Sequence, residues 1–321
     1  MKLTMVQALQ WALDTAMETD PRIVLIGEDI GRDGGVFRVT EGLFEKYGGD
    51  RVIDSPLAES GLVGAAIGMA ALGLKPIVEI QFLGFIYPAF NQILSHVARL
   101  RNRTRGRFTA PLVIRTPYGA GVRALEHHSE STEALFCHIP GLTVVVPSTP
   151  AEAAGLLLAS IHGDDPVLFL EPSRLYRADR EEVPEVPPEI PLRKARIVRA
   201  GTDLTLIGWG AMVPAMEKAA DASGFSVEIL DLRTLSPMDQ ESILVSVRKT
   251  GRAVIVHEAP KTCGLGAEIS ARITESALLS LEAPVLRIAA PDITVPLPKT
   301  EDFYYLGPER ILRGLRQVME F

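Results

Sequence analysis

The sequence predicts an α/β protein made of two parallel-sheet domains, and three observations carry that expectation. Short β-branched runs alternate with helical patterns almost from end to end, as βαβ units around a parallel sheet require. One charged, proline-dense stretch breaks the alternation, which then restarts. A chain of 321 residues is long enough for two separate cores.

Taken in order, Met1–Leu9 reads as the start of an amphipathic helix rather than a signal or transit segment. Strands are expected at Ile23–Ile26, Pro76–Ile80, Leu112–Thr116, Thr143–Val146 and Val167–Leu170. Between them, Gly61–Leu72, Pro88–Arg101 and Pro150–His162 have helical spacing. Thr149 is the expected N-cap of the last of these, with Pro150 at its first position. The first domain is assigned to residues 1–178. Residues 179–198, containing Val183-Pro184-Glu185-Val186-Pro187-Pro188, read as an extended linker that cannot be a core element. The second domain, 199–321, has expected strands at Leu204–Ile207, Ser226–Leu230, Ala253–Val256 and Val285–Ile288. Helices near Met212–Ala222, Asp239–Lys249 and Ala267–Leu279 separate those strands.

Composition narrows the function. A net charge of −7 argues against a nucleic-acid surface, and the five arginines within Arg99–Arg107 make only a local basic patch. Two cysteines give no disulfide framework and no metal-ligand spacing, in keeping with a reducing, cytoplasmic compartment. The longest apolar run, Gly61–Leu74, is shorter than the ~20 residues of a membrane span. There is no G-x-S-x-G elbow and no G-x-G-x-x-G after the first strand. The histidines show no i,i+4 pair or zincin pattern, which leaves metal catalysis at His127/His128 unsupported.

Chemistry is expected at the carboxyl ends of the strands. Glu28 and Asp29 follow the first strand, either as helix-capping acids or as site residues. Glu59 opens an apolar, small-residue helix; it is either a first-turn acid favoured by the helix dipole or a buried functional carboxylate. Gln81 follows the Pro76–Ile80 strand, and His127-His128 lie in a glycine-rich loop. In an extended loop neighbouring side chains diverge, so one histidine at most should face a site. Gly64 and Gly68 lie on one helical face and suit close packing, within the chain or against another subunit.

Those residues fall into a known pattern. Glu59-x4-Gly64-Ala65-x-x-Gly68 resembles the E-x4-G-Φ-x-x-G element of the pyrimidine-binding domain of thiamine diphosphate enzymes. With it come Gly34-Gly35-Val36-Phe37-Arg38, Asp54-Ser55-Pro56-Leu57-Ala58-Glu59, Glu79-Ile80-Gln81-Phe82, His128-Ser129, Phe169-Leu170-Glu171-Pro172, Asp231-Leu232-Arg233-Thr234 and His257-Glu258-Ala259-Pro260. In that order, across the whole chain, they resemble the β subunit of the E1 component of a 2-oxoacid dehydrogenase complex, of the pyruvate or branched-chain type. The acetoin dehydrogenase β subunit is the nearest rival, and a non-catalytic assembly subunit is the rival from another class.

The resemblance implies a pyrimidine-binding domain followed by a transketolase C-terminal-like domain. It makes Glu59 the partner of N1′ of the aminopyrimidine and so the start of the proton relay to the reactive carbon. Phe85 would stack on the pyrimidine, with Leu57, Gln81 and Glu28 around it, and His128 would give a proton to the lipoyl dithiolane. No Gly-Asp-Gly is present, so the diphosphate and Mg²⁺ would be held by an α subunit in an α2β2 heterotetramer. The Gly64/Gly68 helix is the expected contact. An E2 acyltransferase would supply the lipoyl arm and dock near Gln317–Phe321, where an acidic end with a free carboxylate suits a basic partner. By the same resemblance, main-chain ligands for a structural K⁺ would be Leu112, Ser160, Ile161 and Asp165, although the stretch Ser160–Asp165 lacks the first aspartate of the D-x-N segment seen in some relatives. Two further departures are Met69 in place of a glutamine and Glu130 after His128-Ser129; the extra carboxylate is expected to raise the pKa of His128.

Overall fold

Helix starts follow their capping residues. In a computed structural model describing residues 1–185 and 190–321, the first helix, Met5–Thr19, begins at a capping box. The Thr4 hydroxyl accepts from Gln7 N–H, and the Gln7 side chain accepts from Thr4 N–H at 3.1 Å. Thr149 caps the Pro150–His162 helix as its sequence requires, and Asp239 caps Gln240–Thr250. Asp239 is therefore the cap rather than the first helical residue.

After a two-residue strand β1 (Lys2–Leu3) come β2 (Ile23–Gly27), β3 (Val52–Asp54), β4 (Lys75–Glu79), β5 (Val113–Tyr118), β6 (Thr143–Val145) and β7 (Val167–Pro172). Next come β8 (Glu181–Glu182), β9 (Arg196–Arg199), β10 (Leu204–Gly208), β11 (Val227–Asp231), β12 (Thr234–Ser236), β13 (Ala253–Pro260) and β14 (Leu286–Ala290). Among the described residues the first sheet runs β12-β6-β7-β5-β4-β2-β3 and the second β14-β13-β10-β11-β9. Within these two sheets pairing is parallel except at β12–β6 and β11–β9, and β1 pairs antiparallel with β8 in a separate ribbon.

The edges depart from the expected pattern. β3, β9 and β12 are strands of three or four residues with too little length to show a period. β12 comes from the second half of the chain yet closes the first sheet, as Thr234 sits opposite Val145. The expected 179–198 linker is partly structured: β8 pairs with β1, Val183 is buried, and β9 already belongs to the second sheet. Its portion at 186–189 lies outside the described residues.

The Pro88–Arg101 helix is the other correction. It is a succession of short turns: a 3₁₀ turn at Tyr87–Ala89, an α turn at Phe90–Gln92, a π turn at Ile93–Val97 and an α turn at Leu100–Arg103. Pro88 lacks an N–H to give a helical ladder, and the wide π turn rotates Ile93 and Val97 into the core.

The layers share their interior. One core, with Leu62, Val63, Val78, Ile114, Val144 and Leu168, continues without a break into Ile207, Leu230, Ile243 and Ile269 of the second half. The outer face of the first sheet is covered by the Met5–Thr19 and Pro150–His162 helices. That of the second is covered by Met212–Asp221 and Pro308–Met319.

Candidate active site

The carboxyl ends of β2, β4 and β5 bring the expected residues to one edge. Glu28 leaves the end of β2 and Glu59 is the first residue of the Glu59–Ala71 helix. Both are buried, Glu59 to 8% exposure. Burial raises the pKa of Glu28, the charge of Glu59 raises it further and Asp29 adds to the effect, while the Ala58 N–H partly offsets it. Glu28 Oε1 has no hydrogen-bond partner among the described residues. A first-turn acid serving only the helix dipole has no need to be buried beside a second carboxylate. Nor does Glu28 cap a helix, since Asp29 at φ 58° turns the chain into a loop.

Around this pair, Gln81 Nε2 donates to Asp29 Oδ2 at 2.9 Å and ties the end of β4 to the loop after β2. Asp54 accepts from Gly31 N–H at 2.6 Å and closes the same loop from β3. Leu57 lies on the outside of the chain at 79% exposure.

The two histidines occupy a 3₁₀ turn, Glu126–His128, rather than an extended segment. Their rings therefore lie together, 4.4 Å apart, instead of diverging. Phe85 meets both, at 5.3 Å to His127 and 5.2 Å to His128. Phe82 stands edge-on to His128 at 4.5 Å. His128 Nδ1 is buried without a partner among the described residues. His127 is held by Glu126, 3.7 Å away. The Glu130 carboxylate accepts from the Tyr87 hydroxyl. The loop backbone packs on Gly84, where a methyl group would overlap the His127 carbonyl.

Behind the aromatic wall lies a buried charge network for which no role was foreseen. Arg115, 2% exposed in the middle of β5, donates twice to Glu171 at 2.7 Å and once to Glu79. Tyr176 donates to Glu171, and its ring contacts Phe37, which contacts Phe82 in turn. Burial pushes Glu79 up against the opposing pull of Arg115. The signal was an arginine inside the apolar run Leu112-Val113-Ile114-Arg115.

Two of the four expected K⁺ ligands, Ile161 and Asp165, meet protein cations instead. Lys75 Nζ donates to the carbonyls of Ile161 and His162 at 3.1 and 3.0 Å, and Arg101 pairs with Asp165 at 2.6 Å. The Leu112 carbonyl accepts from Val167 N–H, and the Ser160 hydroxyl turns back onto Leu156. The ammonium of Lys75 already brings a positive charge to this helix end, so the donor set does not fit a separate ion.

The sheet order and the carboxylate at the helix mouth define a transketolase-type fold. A family model described as "Transketolase, pyrimidine binding domain" matches residues 1–179, and one described as "Transketolase, C-terminal domain" matches 193–311. A solved "Split gene transketolase, inactive beta4 tetramer" superposes with a TM-score of 0.81 over 99% of this chain and 98% of its own, at 21% identity. Similar curated proteins are named pyruvate dehydrogenase E1 component subunit beta. That of Acholeplasma laidlawii is 54% identical over 98% of both chains. That of Bacillus subtilis (strain 168) is 48% identical over 100% of this chain and 99% of its own. The chain belongs to the family of E1 component β subunits of 2-oxoacid dehydrogenases, oxidoreductase subunits built on the transketolase pyrimidine-binding and C-terminal domains. Membership implies thiamine diphosphate as cofactor and an α subunit as partner. Among the described residues no helix is long and apolar enough to cross a membrane.

Proposed function

We propose that this chain is the β subunit of an E1 that oxidatively decarboxylates pyruvate and passes the acyl group to the lipoyl arm of an E2. The observation that carries the reading is the buried Glu28–Glu59 pair at the strand ends, where the charge of Glu59 raises the pKa of Glu28. When bound, thiamine diphosphate supplies the electron sink for loss of carbon dioxide. The residues here suit it: Glu28 Oε1 is an orphaned buried acceptor, and Phe85 offers a half-buried aromatic face.

Glu59 holds a proton at N1′ of the aminopyrimidine, general acid–base work that is strongest where water is excluded. Burial and the neighbouring Glu59 raise the pKa of Glu28, which favours its neutral form. Gln81 fixes the Asp29 loop beside the ring, and Leu57 covers the pocket from the outside. His128 gives a proton to the lipoyl sulfur as the acyl group arrives. The α subunit holds the diphosphate and Mg²⁺, for which this chain has no Gly-Asp-Gly. Its contact is the outer face of the Glu59–Ala71 helix, where Gly61, Ala65, Gly68 and Leu72 are exposed and a methyl at Gly68 would meet nothing within 4 Å. E2 docks around Gln317–Phe321, where Phe321 is exposed.

The substrate reading rests on relatives named for pyruvate at 54% and 48% identity. The test is the complex reconstituted with its α subunit and offered pyruvate, 3-methyl-2-oxobutanoate or acetoin. Pyruvate is expected to turn over fastest; preference for either of the others overturns the assignment. Glu59→Gln in the same complex is expected to lower decarboxylation by about 10²–10⁴-fold, and an unchanged rate would remove Glu59 from the chemistry.

A further inference from the structure

The histidine loop is held by the other half of the molecule. Its base is closed within the first sheet's own domain, where Gly119 N–H donates to the Glu130 carbonyl at 3.0 Å and the Ser173 hydroxyl donates to the Gly119 carbonyl at 3.1 Å. Its middle is held from across the seam. Glu301, fully buried at the start of the 3₁₀ turn Glu301–Phe303, accepts from Gly121 N–H at 2.8 Å and from the Tyr305 hydroxyl. The Tyr305 ring lies 4.4 Å beneath the Arg174 guanidinium, and the stem of Arg174 fills the space where Gly121 would carry a side chain. Gly121 adopts φ +127°, so neither backbone nor neighbour leaves it an alternative. Outside this core, Arg123 pairs with Asp302 at 3.0 Å, and Ala120 packs on Ala290, Val295 and Tyr304.

A buried carboxylate accepting a backbone N–H gives a strong, directional bond. Its cost in desolvation is hard to explain for a surface loop without a task. We infer that Glu301 is a positioning residue: through Gly121 it sets the loop that presents His128, so the second domain controls acyl transfer from a distance. This rests on the reading of His128 given above. The hydrogen bonds of Glu301 go to Gly121 and Tyr305, and it is assigned no part in the proton relay at Glu59.

The test uses the reconstituted α2β2 complex with thiamine diphosphate and Mg²⁺, Glu301→Ala, Glu301→Gln and His128→Gln. Hydrogen exchange across residues 119–130 is read beside two rates: decarboxylation with an artificial electron acceptor and acylation of a free lipoyl domain. Glu301→Ala is expected to speed exchange in the loop about tenfold and to lower the acylation-to-decarboxylation ratio about tenfold. Glu301→Gln keeps an acceptor for Gly121 N–H and is expected to restore both. If Glu301→Ala does not assemble, Tyr305→Phe removes one bond to the same carboxylate and is expected to move both readouts about threefold. Unchanged exchange overturns the inference. So does faster exchange with an unchanged ratio while His128→Gln still impairs acylation. If His128→Gln leaves acylation intact, the role of the histidine falls, and the exchange measurement still decides whether Glu301 anchors the loop.

Discussion

Two neighbouring buried acids disfavour each other's charge in a dry pocket, and at the mouth of this helix the effect is seen on Glu28. Burial and the neighbouring charge both favour the neutral form of Glu28. Glu59 was legible in the sequence because its spacing to Gly64 and Gly68 is distinctive. The role of Gly84 was not, since a close backbone approach between distant segments leaves no local pattern. A methyl at Gly84 would overlap the His127 carbonyl, so Gly84→Ala is expected to push the histidine turn away. Overpacking of this kind costs about 1–3 kcal/mol. Lipoyl acylation should fall more than decarboxylation, which a comparison of the two partial rates checks; equal losses would count against it.

At the scale of elements, the buried parallel strands were readable because β-branched runs flanked by glycine and proline have few other uses. Edge strands of three or four residues fall below the length at which a period exists. The histidine turn was misjudged because a 3₁₀ turn, with three residues per turn, sets neighbours about a third of a turn apart, where an extended segment sends them to opposite faces. Arg115 belongs at this scale, for it ties β4, β5 and β7 together through Glu79 and Glu171. Arg115→Met would leave two carboxylates buried without their partner and should cost about 3–5 kcal/mol by denaturant unfolding. Adding Glu171→Gln should recover part of that loss, because one stranded charge disappears. A double variant no more stable than the single one would mean that Glu171 is not the group left stranded.

Across the whole molecule, the seam between the two sheets is rich in buried ionisable groups. Burial raises Glu133 to about 7 and lowers His257, stacked on Trp209, to about 4. Glu133 keeps its proton in the native state up to about 7, whereas the unfolded chain releases it near 4.5. The unfolded state therefore binds fewer protons across that window, and the stability of the fold declines as pH rises through it. His257 acts in the opposite sense, losing stability as pH falls from 6.5 towards about 4. Glu133→Gln should match the wild type near pH 4 and exceed it by up to about 3 kcal/mol at pH 8. Thermal unfolding at the two pH values checks this; an equal difference at both would show that Glu133 does not titrate. None of this could be read from the sequence, where Glu133 looks like an ordinary first-turn acid of a short helix.

The strand β12 gives the architecture a consequence for recombination. Because Thr234–Ser236 completes the first sheet, a chimera that joins the first half of one relative to the second half of another imports a foreign edge strand. A polypeptide ending at Glu185 would likewise leave Val144 and Val145 beside an open edge. The natural crossover points of this protein are therefore not where its chain is richest in proline. The two halves must be inherited, or redesigned, together.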